Sequence, residues 1–173
     1  MALFRRTTGA QPQDPPSGDS SFRLGSMRLY QPDDELAIRL PQGVGELAAY
    51  AKTLAWVGSE YFGRLRRDFG SLGVLLAVGV KPERKTMVWA EAVDGEIPPD
   101  VWEPFAGLLA GAGSEVWPSV NAPIAFALEC LVGAGPTSAF PQVPSAWMEA
   151  ARAYGGHAPL AIPDEVFPIV FPD

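Results

Sequence analysis

The sequence predicts an α+β fold in which a small, mainly antiparallel sheet packs against one long helix and one or two short helices. An apolar pattern with helical spacing runs from residue 46 to about residue 69. Two β-type segments, 72–80 and 86–93, follow it and are joined by a polar turn that contains Pro82. The 18 glycines and 18 prolines favour short elements and leave little room for a long helical bundle.

The length of 173 residues suits a single domain, and 47% hydrophobic residues provide enough apolar surface for one core. Residues 7–20 have no hydrophobic side chain except those of Ala and Pro, which predicts that residues 1–20 form a flexible leader. Residues 21–173 are then one α+β domain. We expect its core to be rich in Leu, Val, Ala and the five tryptophans.

The first part of the domain resembles a β-hairpin. Residues 22–30 and 35–40 have strand-like patterns, and Pro32, Asp33 and Asp34 between them are typical turn residues. Leu36, Ile38 and Leu40 alternate with smaller or charged residues. This alternation predicts a half-buried second strand.

The long helix is predicted from an apolar stripe formed by Leu47, Ala51, Leu54, Tyr61, Leu65 and Phe69. Gly58 and Gly63 each weaken a helix by about 1 kcal/mol relative to Ala, so we expect a close neighbour to cross at both positions. The basic residues near its end, Arg64, Arg66 and Arg67, favour the helix dipole rather than nucleic-acid binding, because no broader basic surface accompanies them.

The elements after the hairpin are shorter. A helix is expected from Pro98 to about Ala110, with a core face made of Trp102, Phe105, Leu108 and Leu109. A strand at 122–132 follows, and a helix at 145–154 is capped by Ser145. The tail from Ala158 onward contains four prolines among large apolar residues, which predicts an extended segment packed on the domain.

Residues 46–132 thus follow the order helix, hairpin, helix, strand. Within them, the stretch from Val78 to Glu83 (Val-Gly-Val-Lys-Pro-Glu) resembles the first strand and turn of the C-terminal domain of TonB-type energy transducers. The resemblance implies a small antiparallel sheet that is closed by the last strand. The chain has no long Pro-rich spacer and no Tyr-Pro pair before the first helix, and we expect no N-terminal membrane anchor. The resemblance therefore implies an architecture and not energy transduction.

The charge is distributed unevenly along the chain. Residues 1–85 carry 12 Lys/Arg and 9 Asp/Glu, whereas residues 86–173 carry Arg152 against 11 acidic residues, which gives net charges of +3 and −10. Such a surface repels nucleic acid and anionic membranes, and it attracts a basic protein partner. Ordinary solubility from a solvated acidic face is the alternative. One cysteine, no signal-like apolar segment and no run of about 20 apolar residues together predict a cytoplasmic protein.

Motifs for common catalytic chemistry are not found. The chain has no Gly-x-Ser-x-Gly elbow and no Gly-Lys-Ser/Thr phosphate loop, and Gly111-Ala112-Gly113 lacks the third glycine of a dinucleotide fingerprint. One His and one Cys cannot form a closed zinc site, so neither a metal nor another cofactor is expected. Cys130 with His157 as its base is a conceivable nucleophilic pair, but Cys130 lies in an apolar alternation that favours a buried position.

The candidate site is an acidic cluster at the end of the hairpin and the start of the next helix. Paired carboxylates can act as acid and base, but positions in a turn favour hydration and helix capping. An acidic face beside an aromatic anchor is better suited to binding a basic protein. The residues expected to bind the partner are Glu91, Asp94, Glu96, Asp100, Trp102 and Glu103.

These observations favour a non-catalytic protein-interaction domain, for example one that neutralises a basic toxin-type enzyme as an immunity protein does. One alternative is a small-molecule enzyme or ligand-binding protein whose pocket is built from dispersed residues. Another is a structural subunit that uses its apolar tail to join a larger assembly.

Overall fold

The computed structural model describes residues 21–65, 67–112, 116–153 and 163–172. In these residues a four-stranded antiparallel sheet carries helices on both faces, so the predicted α+β fold is confirmed. The elements in chain order are β1 (Phe22–Leu29), α1 (Asp33–Arg39), α2 (Val44–Leu65), β2 (Leu72–Lys81), β3 (Lys85–Val93), α3 (Pro99–Ala112), β4 (Ile124–Val132), α4 (Ser145–Ala153) and α5 (Pro163–Val170).

The sheet has the strand order β1-β4-β2-β3, so β4 lies between the first two strands of the chain. β2 is buried along all ten residues because helices cover both of its faces, and its sequence is accordingly an almost continuous apolar run. β2 and β3 pair in register from Gly73 opposite Val93 to Lys81 opposite Lys85. The predicted hairpin is confirmed.

The main core lies between the sheet and helices α1, α2 and α3. Alternate residues of β2 and β4 point into it, and α2 contributes its predicted apolar stripe. Aromatic rings fill its centre: Phe22 stacks on Phe62 at 5.2 Å between ring centroids, and Phe105 packs edge-on against Phe62 at the same distance.

A second core lies on the opposite face of the sheet, beneath α4 and α5. It consists of Ala77, Ala125, Trp147, Val166, Phe167 and Phe171. The prediction of an extended tail is therefore wrong for residues 163–170, which form a helix. Pro163 opens this helix, where a missing N–H costs nothing, and Val166, Phe167 and Phe171 then fall on the buried side.

The predicted strand at 35–40 is also wrong, because these residues belong to α1. Leu36 and Leu40, four residues apart, are buried on one side, whereas Ile38 between them is 75% exposed. Asp33, Asp34 and Glu35 occupy the first turn of the helix, where carboxylates favour the dipole. The predicted turn at residues 32–34 is thus a helix start, and β1 pairs with β4 instead.

Several side-chain expectations also change. α2 ends at Leu65, so Phe69 and Arg67 follow it. Trp56 is 63% exposed and Trp147 is buried, so the tryptophans do not all belong to the core. On α3 the buried residues are Val101, Phe105 and Leu109, whereas Leu108 is exposed and Trp102 is half-buried.

The expectation about the α2 glycines is confirmed for Gly58 and wrong for Gly63. A Cβ atom at Gly58 would lie 2.2 Å from the Phe22 ring, whereas one at Gly63 would have no neighbour within 4 Å among the described residues outside its own helical turns.

Some predicted features lie outside the described residues: the leader at 1–20, the tail residues before 163, His157, Arg66 and Gly113. Across the described part of the chain, no helix has the length and apolar character needed to cross a membrane.

Candidate functional site

Glu91, the first residue of the predicted acidic site, holds the start of α4. It lies on the same face of β3 as Trp89, and its Oε2 atom accepts hydrogen bonds from the Ser145 backbone N–H at 2.7 Å and from the Ser145 hydroxyl at 3.0 Å. The prediction that the Ser145 side chain caps this helix is therefore wrong, because Ser145 donates both hydrogen bonds and the Glu91 carboxylate accepts them. Ser145 lies in the first turn, and the Glu91 carboxylate satisfies the free N–H group.

Asp94 holds the loop that follows β4. Its Oδ2 atom accepts a hydrogen bond from the Ser138 backbone N–H at 2.5 Å and one from the Thr137 hydroxyl at 2.9 Å. The hydrogen bonds from Ser138, with a smaller contribution from Thr137, lower the pKa of Asp94 to about 2, because they favour the charged carboxylate. Asp94 has a left-handed backbone with φ of 62°, a conformation that Asp tolerates better than most residues.

The other members of the acidic cluster lie at the end of the hairpin and on α3, which packs on the main-core face. Asp100 is exposed and lies 3.8 Å from the Arg67 guanidinium, and Glu96 and Glu103 are exposed. Trp102 contacts Phe105 at 5.9 Å between ring centroids. The cluster is therefore divided between two faces of the sheet, and two of its carboxylates bind segments of the protein itself, the start of α4 and the loop at residues 137–138.

The two edges of the sheet differ in regularity. At one edge, β1 carries Arg23 and Arg28, and its register shifts at Gly25, which is a common protection against pairing with another chain. At the other edge, β3 pairs with β2 without a shift over nine residues, and within the described residues no strand pairs with its outer side. β3 is thus the regular edge strand of the described sheet, and its last residue, Val93, directly precedes Asp94.

A second candidate is an open cleft of about 900 Å³. Its walls come from α1, the turn between β2 and β3, residues 122–123, and α5 with Pro172. This volume is typical of a small-molecule site, and no sequence motif indicates it because its walls come from four distant segments. One local signal was available. Glu35 and Arg39 are four residues apart, a spacing typical of an ion pair on a helix, but the alternation of residues 36–40 favoured a strand.

One wall of this cleft is organised by Arg39. Its guanidinium donates to both carboxylate oxygens of Asp164, at 2.7 and 2.6 Å, to Glu35 at 2.6 Å and to the Pro123 carbonyl at 2.7 Å. These bonds join α1 to α5. The hydrogen bond from Arg39 is the main cause that lowers the pKa of Asp164, and the same bond raises the pKa of Arg39.

The opposite wall is the β2–β3 turn. Lys81 and Lys85 are directly opposed in the register, and both line the cleft together with Glu83. The Lys81 ammonium lies 4.8 Å from the centre of the Phe171 ring. Glu83 and Arg84 have φ values of 64° and 66°, and Arg84 points away from the cleft onto Trp117, 3.9 Å from the ring centre.

The remaining chemical candidates find little support in the geometry. Cys130 is buried, and desolvation raises the pKa of its thiol to about 12, which opposes the thiolate that a nucleophile needs. Its suggested partner His157 lies outside the described residues. Among the residues that the structure describes, no group of three or more His, Cys, Asp or Glu side chains is arranged to hold a metal ion.

Comparison with known proteins found no matching family, no matching curated protein and no matching solved structure. The order helix, hairpin, helix, strand that suggested TonB-type domains is present from α2 to β4. The resemblance itself stays a prediction.

Proposed function

We propose that the protein is a non-catalytic interaction domain that binds a basic protein partner in the cytoplasm, as an immunity protein binds a toxin-type enzyme. The observation that carries this proposal is the outer edge of β3, with which no described strand pairs; β3 ends at Val93, shortly before the exposed Glu96. An exposed edge strand offers backbone N–H and C=O groups to an extended segment of a partner. The acidic residues beside it would accelerate association with a basic protein.

The geometry determines which acidic residues can serve the partner. Glu91 binds the start of α4 and Asp94 binds the loop after β4, so their replacement would disturb the fold as well as the surface. Glu96 and Glu103 are exposed, and they are the residues on which the electrostatic part of the proposal depends.

The experiment begins with a pull-down from native lysate at low and at high salt, followed by affinity measurements with the retained protein. E96K/E103K should weaken binding by about tenfold, because two attractive charges become repulsive. E149K/E165K makes the same charge change on exposed residues of α4 and α5 and should leave the affinity within about twofold.

The edge of β3 is tested separately. M87K adds a charge to the edge strand and should weaken binding, whereas L29K adds one to β1 and should not. Met87 and Leu29 are both 36% exposed, which makes the two variants a matched pair. Retention of no partner, or retention that ignores ionic strength, contradicts the electrostatic mechanism.

The alternative of a structural subunit depends on an apolar tail that is available to other proteins. Val166, Phe167 and Phe171 of that tail are buried in the second core of the chain itself. The alternative of a ligand-binding protein has the cleft in its favour.

A further inference from the structure

β3 is an edge strand without the usual protection against pairing. In the part of the chain that the structure describes, no strand pairs with its outer side. The residues from Thr86 to Ala90 carry no charge, the strand contains no proline, and its register with β2 has no bulge. Charges, prolines and bulges are the features by which edge strands avoid other strands. β1, at the other edge of the sheet, has the charges of Arg23 and Arg28 and a register shift.

The edge of β3 is also accessible. Met87 is 36% exposed, and the other residues from Thr86 to Ala92 are half-buried. The neighbouring strand β2 is buried along its whole length. The helices that cover both faces of β2 therefore leave β3 partly exposed. Another strand can add to such an edge through backbone hydrogen bonds.

The charges of β3 are placed symmetrically about its centre. Lys85 lies three residues before Val88, and Glu91 lies three residues after it. Two antiparallel copies of β3 related by a two-fold axis at Val88 therefore bring each Lys85 opposite the Glu91 of the other copy. Both side chains lie on the face of Trp89, because side chains alternate along a strand. An axis at Trp89 instead leaves both charges opposite apolar residues, so charge complementarity selects the axis at Val88.

The two charged groups are able to form this pair. Lys85 is exposed and forms no ion pair with another described residue. Glu91 uses its Oε2 atom for both hydrogen bonds from Ser145. A carboxylate can accept about four hydrogen bonds, so its Oε1 atom can still accept one from an ammonium group. The pair therefore does not require Glu91 to release the start of α4.

We propose that a second copy of the chain occupies this edge. The two β3 strands pair antiparallel about Val88 and join two four-stranded sheets into one. The dimer itself does not depend on the proposed binding of a basic protein, but it uses the same edge strand. One β3 edge cannot pair with both at once. Dimerisation therefore regulates the proposed site, a consequence that rests on the proposed function.

The first test is sedimentation equilibrium of the full chain over a wide range of concentration. The mass should rise with concentration from 18.5 kDa to twice that value. K85E should raise the Kd of the dimer by at least about tenfold, because two attractive charge pairs become repulsive. K52E makes the same charge change on an exposed residue of α2 and should leave the Kd within about twofold.

Cysteine cross-linking tests the register. V88C should form a disulfide-linked dimer under mild oxidation, because the two cysteines face each other at the two-fold axis. T86C should not, because residue 86 of one copy lies four residues from residue 86 of the other, about 14 Å along the strand. The native Cys130 is buried and is the same in both variants. Far-UV circular dichroism should show that both variants keep the fold.

A mass of 18.5 kDa at every concentration overturns the proposal, as does a dimer that K85E does not weaken. Cross-linking of T86C as fast as that of V88C also overturns it, because the strands would not pair about Val88. The two proposals fail separately. A chain that dimerises but retains no basic protein contradicts only the proposed function, and a monomer that retains one contradicts only the dimer.

Discussion

Single carboxylates in this chain connect segments that are far apart in the sequence. Glu91 binds the start of α4, and Asp94 binds the loop at residues 137–138. In the same way, Glu129 on β4 binds Arg28 and Ser26 on β1. Part of the acidity after residue 85 therefore serves the fold, and the excess of acidic residues overstates the charge that is available to a partner.

Asp94 provides a pH-dependent test of this role. Its folded-state pKa of about 2 lies below the ordinary value of 3.8, so its contribution to stability is fully present above pH 3.8 and is lost as the pH falls towards 2. A carboxyl-detected NMR titration should give an apparent pKa near 2. The double variant T137V/S138A should raise it part of the way towards 3.8, because the two side-chain hydroxyl donors are removed while the Ser138 backbone N–H remains. A pKa near 3.8 in the parent protein would contradict the hydrogen-bonded geometry.

The two glycines of α2 predict opposite effects of the same substitution. G58A should destabilise the protein by about 1–3 kcal/mol, because its Cβ atom would meet the buried Phe22 ring at 2.2 Å. G63A should stabilise it by about 0.5–1 kcal/mol, because the site is open and Ala favours a helix. Urea unfolding of both variants measures the difference. If both substitutions increased the free energy of unfolding, the packing at Gly58 would be looser than described.

Among the elements, α1 and α5 depend most on contacts with the rest of the chain. They have seven and eight residues, which is too short for stability in isolation. Arg39 joins them, and the second core holds α5 on the sheet, where Gly79 allows the approach of Phe167 and Phe171. A Cβ atom at Gly79 would lie 3.0 Å from Phe167 and 3.2 Å from Phe171. α1 and α5 are therefore stabilised by the packing of their apolar sides on the sheet and by the hydrogen bonds of Arg39, which joins them.

R39M should release α5 before the rest of the fold. It removes a guanidinium that makes four hydrogen bonds. Because the site is partly exposed, we expect the free energy of unfolding to fall by about 1–3 kcal/mol. Hydrogen exchange should increase in residues 163–172 more than in β2. R64M breaks the exposed pair with Glu60 and should cost only about 0.3–0.5 kcal/mol. An equal effect of the two variants would contradict the role of Arg39.

On the scale of the whole molecule, β2 is the structure that both cores share. Val74, Leu76, Val78 and Val80 of β2 lie in the main core, whereas Ala77 lies in the second core. The loss of packing on one face therefore removes support for the strand that the other face needs. We expect the described sheet and helices to unfold as one cooperative unit.

F105A and F167A test this coupling from opposite faces. Both side chains are almost completely buried. F105A should lower the free energy of unfolding by about 3–5 kcal/mol, and F167A by the same amount or slightly less, because the second core is smaller. Tryptophan fluorescence and far-UV circular dichroism should report the same single transition in both variants. Two separate transitions, or destabilisation that is confined to one face, would show that the cores are independent.

Patterns within single segments predicted a large part of the fold correctly. The β2–β3 hairpin, the alternation of β4 and the stripe of α2 follow from local periodicity, because each buries a regular set of positions. Residues 36–40 misled the prediction because Leu36, Ile38 and Leu40 fit a strand as well as a helix over such a short span. The tail misled it because Pro163 and Pro168 resemble breakers, although α5 accommodates both.

The candidate sites depended even more on tertiary structure. The acidic cluster was found as a set of neighbours in the sequence, but in the fold it is divided between two faces of the sheet. Glu91 binds the start of α4, and Asp94 binds the loop after β4. The cleft was not found, because Arg39, Lys81 and Asp164 are far apart in the chain and meet only after α5 has docked.

The sequence by itself determined the fold class, the long helix, the central hairpin and the unequal charge of the two halves, because these depend on composition and on local periodicity. Only the tertiary structure decided that β4 inserts between β1 and β2, that α5 covers a second core, and that β3 is left as the open edge. The physical reason is that strand pairing and helix docking depend on long-range contacts, whose partners no local pattern specifies.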